Sequence, residues 1–155
     1  MSQRNAVHRG VDRFGKESSG EKKSGGWYWR SDEVVAVVDL QKSQYGPKYY
    51  VNVAFWLRAV GDERWPKTWK SHIAMRIEDL PGVERDRVEC LLDLESDVAD
   101  EQRVDELSAL LTTAVAPFIE RGNSLVGLRS MIDDGTLKRW LLRVPAQEQL
   151  GVRPG

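Results

Sequence analysis

From residue 27 to residue 78 the apolar side chains recur at every second position or run together in β-branched blocks, and beyond Pro81 they recur every three or four. The first period is that of a strand and the second that of a helix. Trp27–Arg30 reads as a short aromatic strand ended by a Ser31-Asp32 turn. Val34–Gln41 is a β-branched strand, Ser43–Pro47 the turn that follows, and Lys48–Arg58 a second long strand rich in Tyr, Val, Phe and Trp. Gly61-Asp62 and Pro66 interrupt the chain before a third long strand, Trp69–Glu78. Connections this short join antiparallel neighbours, because a parallel pair needs a crossover of about a dozen residues or more. The pattern predicts a four-stranded antiparallel meander sheet.

The helical period supplies the second layer. Arg85–Leu94 is a short helix candidate. Val104, Leu107, Leu111, Ala114 or Val115, and Phe118 form the apolar stripe of a longer one beginning near Asp100, with Gly122-Asn123 as its stop. Ser124 can cap a helix running to Ile132, and Thr136 a last one over Leu137–Val144, halted by Pro145. Residues 147–155 read as a frayed C-terminus. The fold class is α+β, with the C-terminal helices packed on one face of the sheet.

Charge alters this picture at both ends of the domain. The net charge of −1 over 155 residues hides a basic segment and an acidic one. Residues 1–26 carry Arg4, Arg9, Arg13, Lys16, Lys22 and Lys23 with little apolar content, and Ser18-Ser19-Gly20 and Ser24-Gly25-Gly26 add flexibility. Such a stretch reads as a flexible basic tail that cannot offset its own ordering entropy. That leaves residues 27–146 as a single α+β domain. Residues 78–106 form an acidic band, which repels phosphate and attracts basic partners. The lone Cys90 excludes an internal disulfide framework or a multi-cysteine metal site, and two histidines leave little for a histidine-based one. No apolar run approaches the roughly 20 residues of a membrane helix, and Met1–Asn5 leads into no signal-peptide core. The expectation is a cytoplasmic protein with no cofactor and no membrane contact.

The candidate chemistry lies on the sheet. One face collects Val34, Ala36, Val38, Leu40, Tyr49, Val51, Val53, Phe55, Leu57, Ile73, Met75 and Ile77, and must be covered by helices. The other is apolar at one end and polar at the other. Closing the turns with the faces matched places Gln41 near Tyr50, Asp39 near Asn52, and Arg76 within one pair of Asn52. Asp39, Asn52 and Arg76 could then form a row across three strands, with Gln41 and Tyr50 beside it and His72 one step away. An Arg76–Asp39 ion pair would be the ordinary way to satisfy such a face. Ser43 lies in the adjoining turn, where a capping hydroxyl is the simpler role. Trp65, in the Gly61–Thr68 loop, is a candidate partner anchor, since aromatic residues dominate interface hot spots. The remaining tryptophans, including Trp140, read as core and edge packing.

Trp29-Arg30, Val38-Asp39-Leu40-Gln41-Lys42-Ser43, Tyr49-Tyr50-Val51-Asn52-Val53, and then His72 and Arg76 together resemble a bacterial family of small domains of unknown function. Its pattern is W-R, L-Q-K-S, a Y-x-N strand, and H with R four residues on. The resemblance covers roughly residues 27–80 and implies a fold and a site location, not an activity. Family members begin with a helix leading into a G-F-x-K-x-G segment, which Val11–Lys16 matches incompletely. The leading functional reading is a non-catalytic module that recognises a protein partner, in the style of an immunity protein or antitoxin. It would bind through the polar sheet face, the Gly61–Thr68 loop or the acidic band. The alternative is a small-molecule or enzyme site, with Arg76 holding an anion and His72 or Asp39 moving protons. A third, nucleic-acid binding through the basic segment and the tryptophans, is disfavoured by the dilute charge and the absence of any nucleic-acid motif.

Overall fold

The computed structural model describes residues 4–138 and 141–152. Five strands form one antiparallel sheet in sequence order: β1 (Glu21–Lys23), β2 (Gly26–Arg30), β3 (Val34–Lys42), β4 (Tyr49–Leu57) and β5 (Ile73–Arg76). The meander is as expected, with one strand more. Around it lie α1 (Ala6–Glu17), α2 (Arg85–Leu92), α3 (Asp100–Arg121), α4 (Leu125–Asp133) and α5 (Val144–Leu150). Among the described residues no helix is long and apolar enough to cross a membrane.

The β3–β4 ladder is the frame. Nine residue pairs run from Val34↔Leu57 to Lys42↔Tyr49 in unbroken register. Val34, Ala36, Val38, Val51, Val53, Phe55 and Leu57, all at 1% exposure or less, point into the main core. There they meet Leu107, Leu111 and Val115 of α3, Leu128 and Met131 of α4, and Ala146 and Leu150 of α5. Each large aliphatic side chain buried this way contributes about 1.5–3 kcal/mol.

The helical layer also includes α1, which corrects the flexible-tail reading of residues 1–26 over its described part, residues 4–26. Asn5 caps the helix, its Oδ1 accepting the amides of Val7 at 2.9 Å and His8 at 3.1 Å. Val7, Val11 and Phe14 then enter the core, on a stripe so narrow that composition alone conceals it. Outside that stripe, Arg9 pairs with Glu101 at 2.9 Å and Arg13 with Asp105 at 2.6 Å, one turn apart on both α1 and α3. Asp12 accepts the indole N–H of Trp27 at 2.9 Å and pairs with Arg4 and with Lys22. Glu101 and Asp105, near the C-terminal end of the acidic band, thus have basic partners within the same chain. β1 comes from the same segment: Ser24 and Gly25 both have positive φ, 49° and 83°, which is the two-residue turn suited to a tight hairpin.

Two further boundaries move. The expected strand Trp69–Glu78 shrinks to β5, with 3-10 turns over Thr68–Lys70 and Ile77–Asp79 at its ends. In place of the expected last helix, Leu137–Val144, and of the frayed end up to residue 152, the described residues show a strand-like contact and a later helix. Leu142 bridges Ile73, Arg143 donates its amide to the carbonyl of His72, and α5 starts at Val144. Pro145 sits in the first turn of α5, where its missing N–H costs nothing, instead of stopping a helix before it. Trp140 and residues 153–155 lie outside the described residues.

If α1 belongs to the core, Phe14→Ala should destabilise the protein by about 3–5 kcal/mol, the usual cost of removing a buried phenyl ring. A urea denaturation midpoint equal to that of the wild type would return residues 1–26 to a solvated tail.

Candidate functional site

Alternation on the same ladder sends Val35, Val37, Asp39 and Gln41 of β3, and Tyr50, Asn52, Ala54 and Trp56 of β4, to the outer face. The apolar end of that face is covered. Tyr28, Val35, Val37 and Ala54 form a small second core beneath Trp56, Trp65 and Ala74. Trp65 stands edge-on to Tyr28 at 5.1 Å, with the Arg30 guanidinium 4.0 Å from its ring centroid. It serves as a lid for the sheet, half-buried on the domain's own outer face. Burial, followed by the charge of Asp39, raises the pKa of the Tyr28 phenol. Trp56 donates to the carbonyl of Gly61 at 2.8 Å, and a Cβ on Gly61 would come within 2.5 Å of the Trp56 ring. Glycine is therefore what lets the loop fold back.

His72 belongs to this covered end. It is 7% exposed, its ring lies 4.3 Å from that of Trp56, and its Nδ1 accepts the amide of Leu57 at 2.9 Å. It lies four residues from Arg76 on the same face, about 13 Å along a strand, so Asp39, His72 and Arg76 do not converge on one point. The imidazole ties the end of β4 to the segment leading into β5. Burial, and after it the charge of Arg143, hold its pKa below the ordinary value.

The polar end stays open. Asp39 pairs with Asn52, and Asn52 with Arg76, so the three stand in a row across adjacent strands as the sequence predicts. Asn52 Nδ2 donates to Asp39 Oδ1 at 3.0 Å and to Gln41 Oε1 at 3.2 Å, and Thr68 Oγ1 donates to Asp39 Oδ2 at 2.8 Å. The carboxylate and both amides are thereby fixed in place by neutral partners. Arg76 makes no ion pair among the described residues, and the expected bridge to Asp39 does not form. Its guanidinium instead lies 3.7 Å from the centroid of Tyr50. Ser43 is 6% exposed and accepts the amide of Tyr45 at 3.0 Å, which makes it a turn cap that takes no part in the row.

These groups line an open depression of about 680 Å³, with Asp39, Gln41, Asn52 and Arg76 on its floor and Thr68 and Trp69 along one side. Trp69 is 68% exposed, held by the 3-10 turn, with its carbonyl accepting from Arg143 at 2.5 Å. Thr68 and Trp69 were not among the residues singled out from sequence. The turn that carries them replaces the start of an expected strand, and Pro66 was the only local hint of it. Among the described residues no group of three or more His, Cys, Asp or Glu side chains could hold a metal ion. The arrangement offers a free cation, a fixed carboxylate, two oriented amides and an exposed indole, which suits recognition of a polar chain bearing a carboxylate.

Fold and row together define the class: a small α+β domain whose antiparallel sheet is sealed by helices on one face and half covered on the other. The chain belongs to the family Domain of unknown function (DUF4304), which matches residues 18–121, about two thirds of its length. Neither a curated protein nor a solved structure matches it.

A protonated Nδ1 on His72 can no longer accept the Leu57 amide. Because the folded pKa is depressed, the unfolded chain takes up this proton first as pH falls. The contribution to stability is complete above about pH 6.5, the unperturbed imidazole value, and declines below it. His8 is shifted the same way, by burial first and then by Arg4 and Lys22, so a comparison with a variant is required. Between about pH 7.5 and 5.5 the wild type should lose more stability in urea than His72→Asn does. Equal losses would remove the imidazole from the account.

Proposed function

We propose that this protein is a non-catalytic recognition module whose polar sheet face binds a carboxylate-bearing segment of a partner protein. The observation that carries the reading is Arg76: a cation stacked on Tyr50 at 3.7 Å, without an ion-pair partner among the described residues, at the floor of an open depression. An arginine left unneutralised yet held in place by an aromatic ring keeps its planar fork available for bidentate contact with a carboxylate. Beside it, Asn52 and Gln41 suit the amides of a peptide, and Trp69 offers an exposed apolar wall of the kind that anchors interfaces. The openness of the depression suits a length of chain better than an enclosed small molecule, and His72 is engaged in holding backbone. Basic side chains of α1 are spent on α3, which removes support from a nucleic-acid role. The lone, half-buried Cys90 and the resemblance to a bacterial family support a bacterial cytoplasmic setting.

Peptides selected from a random library on the wild-type protein should be enriched in Asp, Glu or a free C-terminal carboxylate. Arg76→Ala should weaken their binding by about ten- to a hundredfold, the range of a charged hydrogen-bonded contact. Arg76→Lys should fall between, because it keeps the charge and loses the fork. Trp69→Ala should weaken binding without altering the preference for acidic residues. Selected peptides that lack carboxylates, or that bind Arg76→Ala as tightly as wild type, would overturn the proposal.

A further inference from the structure

A second cleft of about 490 Å³, lined by Tyr50 among others, lies between the start of β4 and the α2 region. At its wall is Glu78, in the 3-10 turn that follows β5. Glu78 is 8% exposed, and its Oε1 has no hydrogen-bond partner. A carboxylate buried without a partner is among the costliest groups to leave in a folded protein. Burial accordingly pushes its pKa above the usual carboxylate range, although its own backbone amide, Arg76 and Arg85 pull it down and Asp79 adds to the rise. The cleft around it is acidic: Asp86, Glu89 and Asp93 join Glu78, against the single ammonium of Lys48. Asp86 and Glu89 are exposed and engage no other side chain among the described residues, unlike Asp79, which is paired with Arg85 at 3.0 Å.

We infer that this cleft is a binding site for an organic cation, a guanidinium or a primary ammonium, with Glu78 as its buried anchor. Tyr49 and Tyr50 line the same cleft and add aromatic surface, one side of the Tyr50 ring already carrying the Arg76 guanidinium. The cation would give the Glu78 carboxylate a counter-charge at the cleft wall, and the charges of Asp86 and Glu89 would favour its approach from solvent. The site shares no carboxylate with the row on the sheet face, though Tyr50, on which Arg76 stacks, and the charge of Arg76 near Glu78 link the two.

The cation can come from a free small molecule or from an Arg or Lys side chain of a partner, and two probes separate these. The full chain would be titrated with methylguanidinium and with a capped Ala-Arg-Ala peptide, and followed by backbone amide NMR. Saturable shifts at Glu78, Asp86 and Glu89 are expected with both. Tighter binding of the peptide assigns the cleft to a partner segment, and equal binding assigns it to small cations. Glu78→Gln should weaken either probe by at least about tenfold, or 1.4 kcal/mol. Asp86→Asn, at an exposed position that leaves the fold intact, should weaken both by a smaller factor. Absence of saturable shifts, preferential binding of calcium, or unchanged affinity in both variants would overturn the inference.

Discussion

The nine-pair register between β3 and β4 is the constraint on which the rest of the molecule depends. Side chains on a strand alternate strictly, so a slip of one residue would turn Val34, Ala36 and Val38 outward and bury Asp39 and Gln41 under the helices. The apolar face anchors the register because α1, α3, α4 and α5 all close over it. Once the core has fixed that face, the positions of Asp39, Asn52 and Arg76 on the opposite face follow with no further freedom. The site is thus a by-product of core packing on the far side of the sheet, its backbone positions set by the same ladders.

Charge is arranged around the same frame. The basic residues of α1 and the acidic residues of α3 face each other across Arg9–Glu101 and Arg13–Asp105, and Arg87 of α2 pairs with Glu106. Exposed pairs of this kind contribute little individually, and α1 is held mainly by Val7, Val11 and Phe14 in the core. Arg103 works differently. It is 1% exposed and donates to the carbonyls of Cys90, Leu91 and Asp93 at 2.7–3.0 Å, with longer contacts to Ser96 and Val98. One buried cation thereby satisfies the C-terminal carbonyls of α2 and the loop leading to α3, groups that a helix end leaves without partners. The acidic band of residues 78–106 is organised around this arginine from inside and open to solvent outside.

The outer face shows how one sheet can be both core and site. Its apolar end is roofed by Trp65 and pinned by His72, and its polar end is left uncovered because the loop that folds back ends in the 3-10 turn at Thr68. Thr68 marks the border: its hydroxyl closes the hydrogen bonds of Asp39, while Trp69 beside it turns outward. A recognition surface placed at such a border has rigid strands beneath it and a covered apolar patch at its side, which limits what it must reorganise on binding.

Much of this was legible in the amino-acid sequence, and for one reason: local periodicity and turn chemistry are properties of neighbours. The meander, the two faces of the long strands, the Asp39–Asn52–Arg76 row, the apolar stripe of α3 and the Ser124 cap of α4 all follow from spacing along the chain. What spacing could not show depends on contacts between distant segments. Residues 1–26 look disordered until α3 supplies the surface for Val7, Val11 and Phe14. Pro145 stops one helix or starts another according to whether Leu142 finds Ile73. Whether His72, Trp65 and Ser43 serve a site or the scaffold is decided by the backbone groups and rings they meet, and Glu78 and Arg103 gain their meaning only from burial. Residue type and order set which faces exist; the tertiary structure chose which of them would be covered, because burial is a property of the whole chain and not of any stretch of it.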